Sequence, residues 1–194
     1  MRSSRPMILA AGLLTLSCAA SAGGPAIGAE APTFSLTTLD GRSFSLSEAA
    51  KTHNAVVVMF IATQCPYSNA YNDRMRDMAA GYQKKGVLFV GINSNKTESA
   101  EEAMAHARQH GHTFPIMKDP GNKVADLYDA RHTPEIFLVD REGKLRYHGR
   151  IDENYEDASK VTSPDLKTAL DSLLAGQPII RAETKAFGCT IKRV

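Results

Sequence analysis

Residues 55–62, Ala-Val-Val-Val-Met-Phe-Ile-Ala, form an apolar run rich in β-branched side chains with no polar residue to face water. Too short for a buried helix of ordinary length, such a run reads as a strand covered on both faces, which places it in the middle of a sheet flanked by helices. Immediately beyond it stand Gln64, Cys65, Pro66 and Ser68. Pro66 suits the first position of a helix, so Cys65 falls at its amino-terminal cap, where backbone N–H groups and the helix dipole favour a thiolate over a thiol. That local logic makes Cys65 a candidate nucleophile in preference to an inert core cysteine.

The rest of the chain extends the same pattern. Asp40-Gly41 marks a turn after a short strand, and a short helix follows through Glu48-Ala49-Ala50. The helix that begins at Pro66 carries Tyr71, Met75, Met78, Ala79 and Tyr82 on one stripe and ends near Gly86. Next come a strand at 87–92, a helix at 99–110, a short strand at 114–117 and a helix at 122–130. Strands at 135–139 and 144–148 are joined by Asp140-Arg141-Glu142-Gly143, and a helix at 164–174 closes the pattern. Strand and helix alternate first and an antiparallel hairpin follows, which predicts an α/β fold: a central mixed sheet with helices on both faces. Residues from about 177 onward read as an extended tail, and the whole of 23–194 as one domain.

The amino end is different. Arg2 and Arg5 precede the apolar run 7–16 and the small residues Ala20-Ser21-Ala22, the pattern of a secretory signal peptide over 1–22. The run is about half the ~20 residues a membrane span requires, so no transmembrane segment is expected. Export to a bacterial periplasm follows, with Cys18 as a lipidated amino terminus the alternative. Removing the two arginines cancels the net charge of +2, which leaves no electrostatic footprint for nucleic acid. Three cysteines, Cys18, Cys65 and Cys189, are too few for a disulfide scaffold, so position carries their meaning.

Phe60-x-Ala62-Thr63-x-Cys65-Pro66 after the apolar strand, with Thr133-Pro134 ahead of Glu135-Ile136-Phe137-Leu138-Val139, resembles the thioredoxin-fold redoxins, the alkyl hydroperoxide reductase and thiol-specific antioxidant superfamily. Cys65-Pro66-Tyr67, Gly91-Ile92-Asn93-Ser94-Asn95, Gly149-Arg150-Ile151-Asp152 and Gly188-Cys189-Thr190-Ile191-Lys192 are similar to a peroxiredoxin-like group with a single active-site cysteine. The resemblance implies a thioredoxin-like fold and a thiol oxidoreductase with Cys65 as nucleophile. Thr133-Pro134 would be the cis proline that faces it, and Pro66, Ser68, Thr133 and Pro134 would shape a groove for extended substrates. Protein or small-molecule disulfides and thiols are the implied partners, with hydroperoxide a weaker one, an external thiol as reductant, and no cofactor.

Departures from the pattern are equally informative. Ser68 stands where such oxidoreductases carry a second cysteine, which leaves Cys189 as the candidate resolving partner. Val58 and Ala62 occupy the places of the proline and threonine that precede a peroxidatic cysteine, so peroxidase chemistry is expected to be weak. Met59 replaces the buried acid of thioredoxins, and His132 is the nearest alternative base. His106, His110 and His112 cluster near a helix end but lack an H-E-x-x-H pattern, so no metal site is assigned. Arg150 and Asp152 are expected to pair and steady a loop. A second class of function remains in view: a non-catalytic protein that holds an extended peptide or a copper ion in the same groove.

Overall fold

Alternation along one strand sets the architecture of the computed structural model, which describes residues 23–194; the expected signal peptide and Cys18 lie outside the described residues. Strand β3 (Ala55–Phe60) is wholly buried. Successive side chains of a strand point to opposite faces. Val56, Val58 and Phe60 therefore meet Phe34, Phe44, Leu46, Tyr128 and Phe137 on one side. Ala55, Val57 and Met59 meet Tyr71, Met75, Tyr82, Leu166 and Leu170 on the other. Each large side chain fully buried in this way contributes about 1.5–3 kcal/mol.

Ahead of β3, β1 (Ser35–Thr37) and β2 (Ser43–Ser45) form a small hairpin, and α1 (Leu46–Thr52) follows. After it come α2 (Pro66–Ala70), α3 (Asn72–Gln83), β4 (Val87–Asn93), α4 (Ala100–Gln109) and β5 (Ile116–Lys118). Then follow α5 (Lys123–Leu127), β6 (His132–Thr133), β7 (Glu135–Asp140), β8 (Leu145–Gly149), α6 (Asp165–Leu174) and β9 (Cys189–Thr190). The central sheet has the order β5-β4-β3-β7-β8, with β3 parallel to β4 and antiparallel to β7. Helices α1 and α5 contribute to the first apolar cluster, α3 and α6 to the second. This is the mixed, doubly covered α/β sheet that the alternation predicts, in a thioredoxin-like arrangement.

Two differences from the sequence reading have local causes. The single helix expected from Pro66 is broken at Tyr71, which caps α2 and leads into α3. Tyr71 is 1% exposed and its hydroxyl donates to both the carbonyl and the carboxylate of Asp152, so the turn serves to bury its ring. Nor do Arg150 and Asp152 pair. Asp152 takes Arg74 from α3 at 2.7 Å, and Arg150 reaches Asp165 of α6 at 2.7 Å, because each faces a different helix.

The last residues return across the molecule. Strand β8 is an edge, and unpaired edge groups seek partners. His148 donates to Ala182 at 2.9 Å and accepts from Thr184 at 3.0 Å. Gly149 adopts φ +148°, and a Cβ there would collide with Thr184, so the close approach requires glycine. Beyond Gly188 the chain forms β9 against β6, with His132 opposite Thr190 and Thr133 opposite Cys189.

Candidate active site

Cys65 caps α2 in extended conformation with Pro66 as the first helical residue, and it is 2% exposed. Its Sγ accepts the N–H of Ser68 at 3.3 Å and its thiol donates to the carbonyl of Thr133 at 3.1 Å. Ser68 therefore serves the sulfur through its backbone. Its hydroxyl is turned away and accepts the N–H of Ala62 at 3.2 Å, since that amide ends a buried strand and requires a partner. Pro66 is exposed, whereas Pro134 is buried. The Thr133-Pro134 peptide bond is cis, as the resemblance implies.

Cys189 lies opposite Thr133, the residue whose carbonyl receives the Cys65 thiol. Both cysteines are free thiols. Burial, and after it a hydrogen bond with Cys65, pushes the Cys189 thiol up to about 11. At neutral pH it is thus a protonated partner beside Cys65. Flanking residues hold this segment down. Phe187 and Tyr155 pack around Tyr67, with Tyr67 and Tyr155 ring centroids 4.5 Å apart and Phe187 6.2 Å from each. Gly188 has φ +144°, and a Cβ there would collide with the Thr133 carbonyl.

Two buried carboxylates frame the site, and the sequence reading missed both. Glu98, 3% exposed, accepts the N–H groups of Thr63 at 2.7 Å and Gln64 at 3.2 Å, directly ahead of Cys65. Glu135, 4% exposed, accepts those of Arg131 at 2.7 Å and His132 at 2.8 Å, directly ahead of Thr133-Pro134. Its other oxygen meets His148 Nε2 at 2.7 Å. Burial raises the pKa of each carboxyl, but these donors more than offset it and hold both below the usual carboxylate range. A polar residue opening the apolar run 135–139 was the available signal for Glu135; Glu98 had none.

His106, His110 and His112 do gather, with ring centroids 4.4–6.1 Å apart. Burial, then repulsion from the other two rings, lowers His112 to about 4. Among the described residues, no group of three or more His, Cys, Asp or Glu side chains converges to hold a metal ion. Among them also, no helix is long and apolar enough to cross a membrane.

The AhpC/TSA family model matches residues 27–148. The thiol-disulfide oxidoreductase ResA of Geobacillus thermodenitrificans is 31% identical over 148 residues, covering 76% of this chain and 78% of that protein. The chain spans 66%, just under two thirds, of the ResA proteins of Bacillus thuringiensis and Bacillus anthracis. A solved structure of an uncharacterized conserved protein from Geobacillus kaustophilus superposes with a TM-score of 0.81 at 35% identity, covering 87% of this chain and 93% of that one. The thioredoxin domain of a thiol-disulfide oxidoreductase from Bacteroides vulgatus shares the fold, with a TM-score of 0.55 at 22% identity over 62% of this chain and 85% of that one. On the family match and the ResA likeness together, the chain belongs to the AhpC/TSA family.

Proposed function

We propose that the chain is an exported thiol-disulfide oxidoreductase in which Cys65 is the nucleophile and Cys189 the resolving thiol. The observation that carries this reading is the register that sets Cys189 opposite Thr133, whose carbonyl accepts the Cys65 thiol, with both cysteines free. Ser68 removes the adjacent second cysteine, and the tail supplies a distant one. The Cys65 thiolate attacks a substrate disulfide, forms a mixed disulfide and expels the first substrate thiolate, which takes up a proton. Cys189, on losing its proton, attacks the Cys65 sulfur; the Cys65–Cys189 bond forms and the second substrate thiol leaves. The substrate gains two electrons and the protein loses them, and an external thiol restores the dithiol. ResA relatives carry the same activity in their name, which supports the disulfide as substrate class.

A hydroperoxide is the second reading, favoured by one observation: Cys65 is 2% exposed beside the tail, which admits a small oxidant more readily than a folded protein. Cys65 would then become a sulfenic acid, and condensation with Cys189 would release water. Val58 and Ala62, in place of the proline and threonine of efficient peroxidases, make this the weaker activity. Export rests on Arg2, Arg5, the apolar run 7–16 and Ala20-Ser21-Ala22; the mass of the mature amino terminus distinguishes cleavage after Ala22 from lipidation at Cys18.

Turnover with a disulfide and with hydrogen peroxide, compared among wild type, Cys65→Ser and Cys189→Ser, tests the proposal. Disulfide turnover that requires Cys65 and stalls as a mixed disulfide without Cys189 is the expected result. A wild-type protein that turns over neither oxidant, yet retains an extended peptide or copper ion, would establish the binding function instead.

A further inference from the structure

Between β4 and α4 lies a buried polar cluster that the thiol chemistry does not use. Asn93 is 1% exposed, Asn95 7% and Glu98 3%. A buried carboxylate demands donors, and Glu98 has four: the backbone N–H groups of Thr63 and Gln64, and the side-chain amides of Asn93 at 2.5 Å and Asn95 at 2.8 Å. The first two belong to the loop that ends at Cys65. The fourth leads elsewhere. While Asn95 Nδ2 donates to Glu98, its Oδ1 accepts the backbone N–H of Lys192 at 2.7 Å, and Lys96 donates to the Lys192 carbonyl at 2.9 Å. Lys192 lies three residues beyond Cys189. The Lys118 ammonium ties the turn together through Asn93 Oδ1 at 2.6 Å and the carbonyls of Asn95 at 2.8 Å and Glu98 at 2.6 Å.

Two side chains thus bridge the loop of one cysteine to the tail of the other, just past its strand. We infer that Glu98, acting through Asn95, is a positioning residue for closure of the Cys65–Cys189 bond, holding the Cys65 loop and the tail in one frame. The inference rests on the reading of Cys189 as the resolving thiol. Glu98 touches neither sulfur; it acts because a displacement of about 1 Å from a reactive geometry costs on the order of 10²-fold in rate. In the step concerned, the Cys189 sulfur bonds to Cys65, the bond from Cys65 to the substrate sulfur breaks, and the substrate departs as a thiolate.

A chromogenic aromatic disulfide, 5,5′-dithiobis(2-nitrobenzoate), supplied at one equivalent so that a second release requires closure, separates the two steps in the full chain carrying Cys18→Ala. The first thionitrobenzoate released reports the adduct at Cys65, the second the closure by Cys189. Asn95→Ala cuts the limb to the tail while Glu98 keeps its two donors from the Cys65 loop, and it is expected to slow the second phase about tenfold more than the first. Lys192→Pro removes the same hydrogen bond from the exposed side of the tail and is expected to act alike, which covers the case that Asn95→Ala does not fold. Glu98→Gln turns an amide toward four donors and is expected to slow both phases. An unchanged ratio of the two phases in Asn95→Ala and Lys192→Pro, while Cys189→Ser releases only the first equivalent, overturns the positioning role alone. A second equivalent released by Cys189→Ser overturns the resolving role on which it rests.

Discussion

Cys65 follows a strand whose six residues are all buried, caps the helix that starts at Pro66 and is backed by apolar clusters on both sheet faces. Cys189 stands on a two-residue strand in a tail with few buried apolar contacts, Ile191 in one cluster and Phe187 against the other, tied otherwise by hydrogen bonds such as those of Lys192 to Asn95, Arg193 to Ala130 and Val194 to Asn122. The difference fits the proposed roles. Segments with few buried contacts open at lower free energy than the core around them, so a nucleophile set in the core keeps its geometry through every turnover. In the proposed cycle the resolving thiol, on the less deeply packed strand, withdraws to admit substrate and returns to close the bond.

The largest expected effect follows from removing the fixed partner. Cys65→Ser should lower disulfide turnover by at least about 10³-fold, as loss of a covalent nucleophile does, with little change in the thermal melt. Removing the lightly held partner has a smaller and different signature. Cys189→Ser should still form the adduct but accumulate it, and turnover should fall on the order of 10²-fold, because an external thiol replaces one tethered at millimolar or higher effective concentration. Gas-phase mass of the quenched protein distinguishes this from a variant that never reacts.

Gly188→Ala sharpens the comparison, since its methyl group would collide with the Thr133 carbonyl and the backbone there has φ +144°. Closure should slow about tenfold, and amide exchange should quicken over 182–192 while β3 stays protected. Equal exchange in β3 and β9 of the wild type would break the comparison. The smallest effect concerns acid. Glu135 is held below the usual carboxylate range in the folded chain. The stability it contributes is therefore present above the unfolded pKa and lost as pH falls through the folded one. Melting temperature should drop on the acid side in wild type, and less steeply in Glu135→Gln, which pays its loss already at neutral pH.

The placement of Cys65 was legible in the sequence because everything that defines it is local: an apolar run, then Cys-Pro at a helix start. The same holds for the order of strands and helices around it. The break at Tyr71 was not, because the stripe of Met75 and Tyr82 keeps helical spacing across a turn that exists to bury Tyr71 against Asp152. Arg150 and Asp152 were misjudged for a related reason: neighbours in sequence found partners on α6 and α3. The return of Cys189 depends on long-range pairing of β6 with β9, and pairing of that kind leaves no periodicity in two residues. Glu98 and Glu135 each looked like an ordinary acid; only the backbone amides they accept, ahead of Cys65 and ahead of Thr133-Pro134, give them a role.

The central claim is that Cys65 and Cys189 form one redox pair. Its most direct test is peptide mass mapping, without reductant, of the protein oxidised by one equivalent of a small disulfide. The account predicts a single peptide pair joined through Cys65 and Cys189, with both thiol hydrogens lost. Recovery of Cys189 as a free thiol alongside a fully modified Cys65 would contradict it.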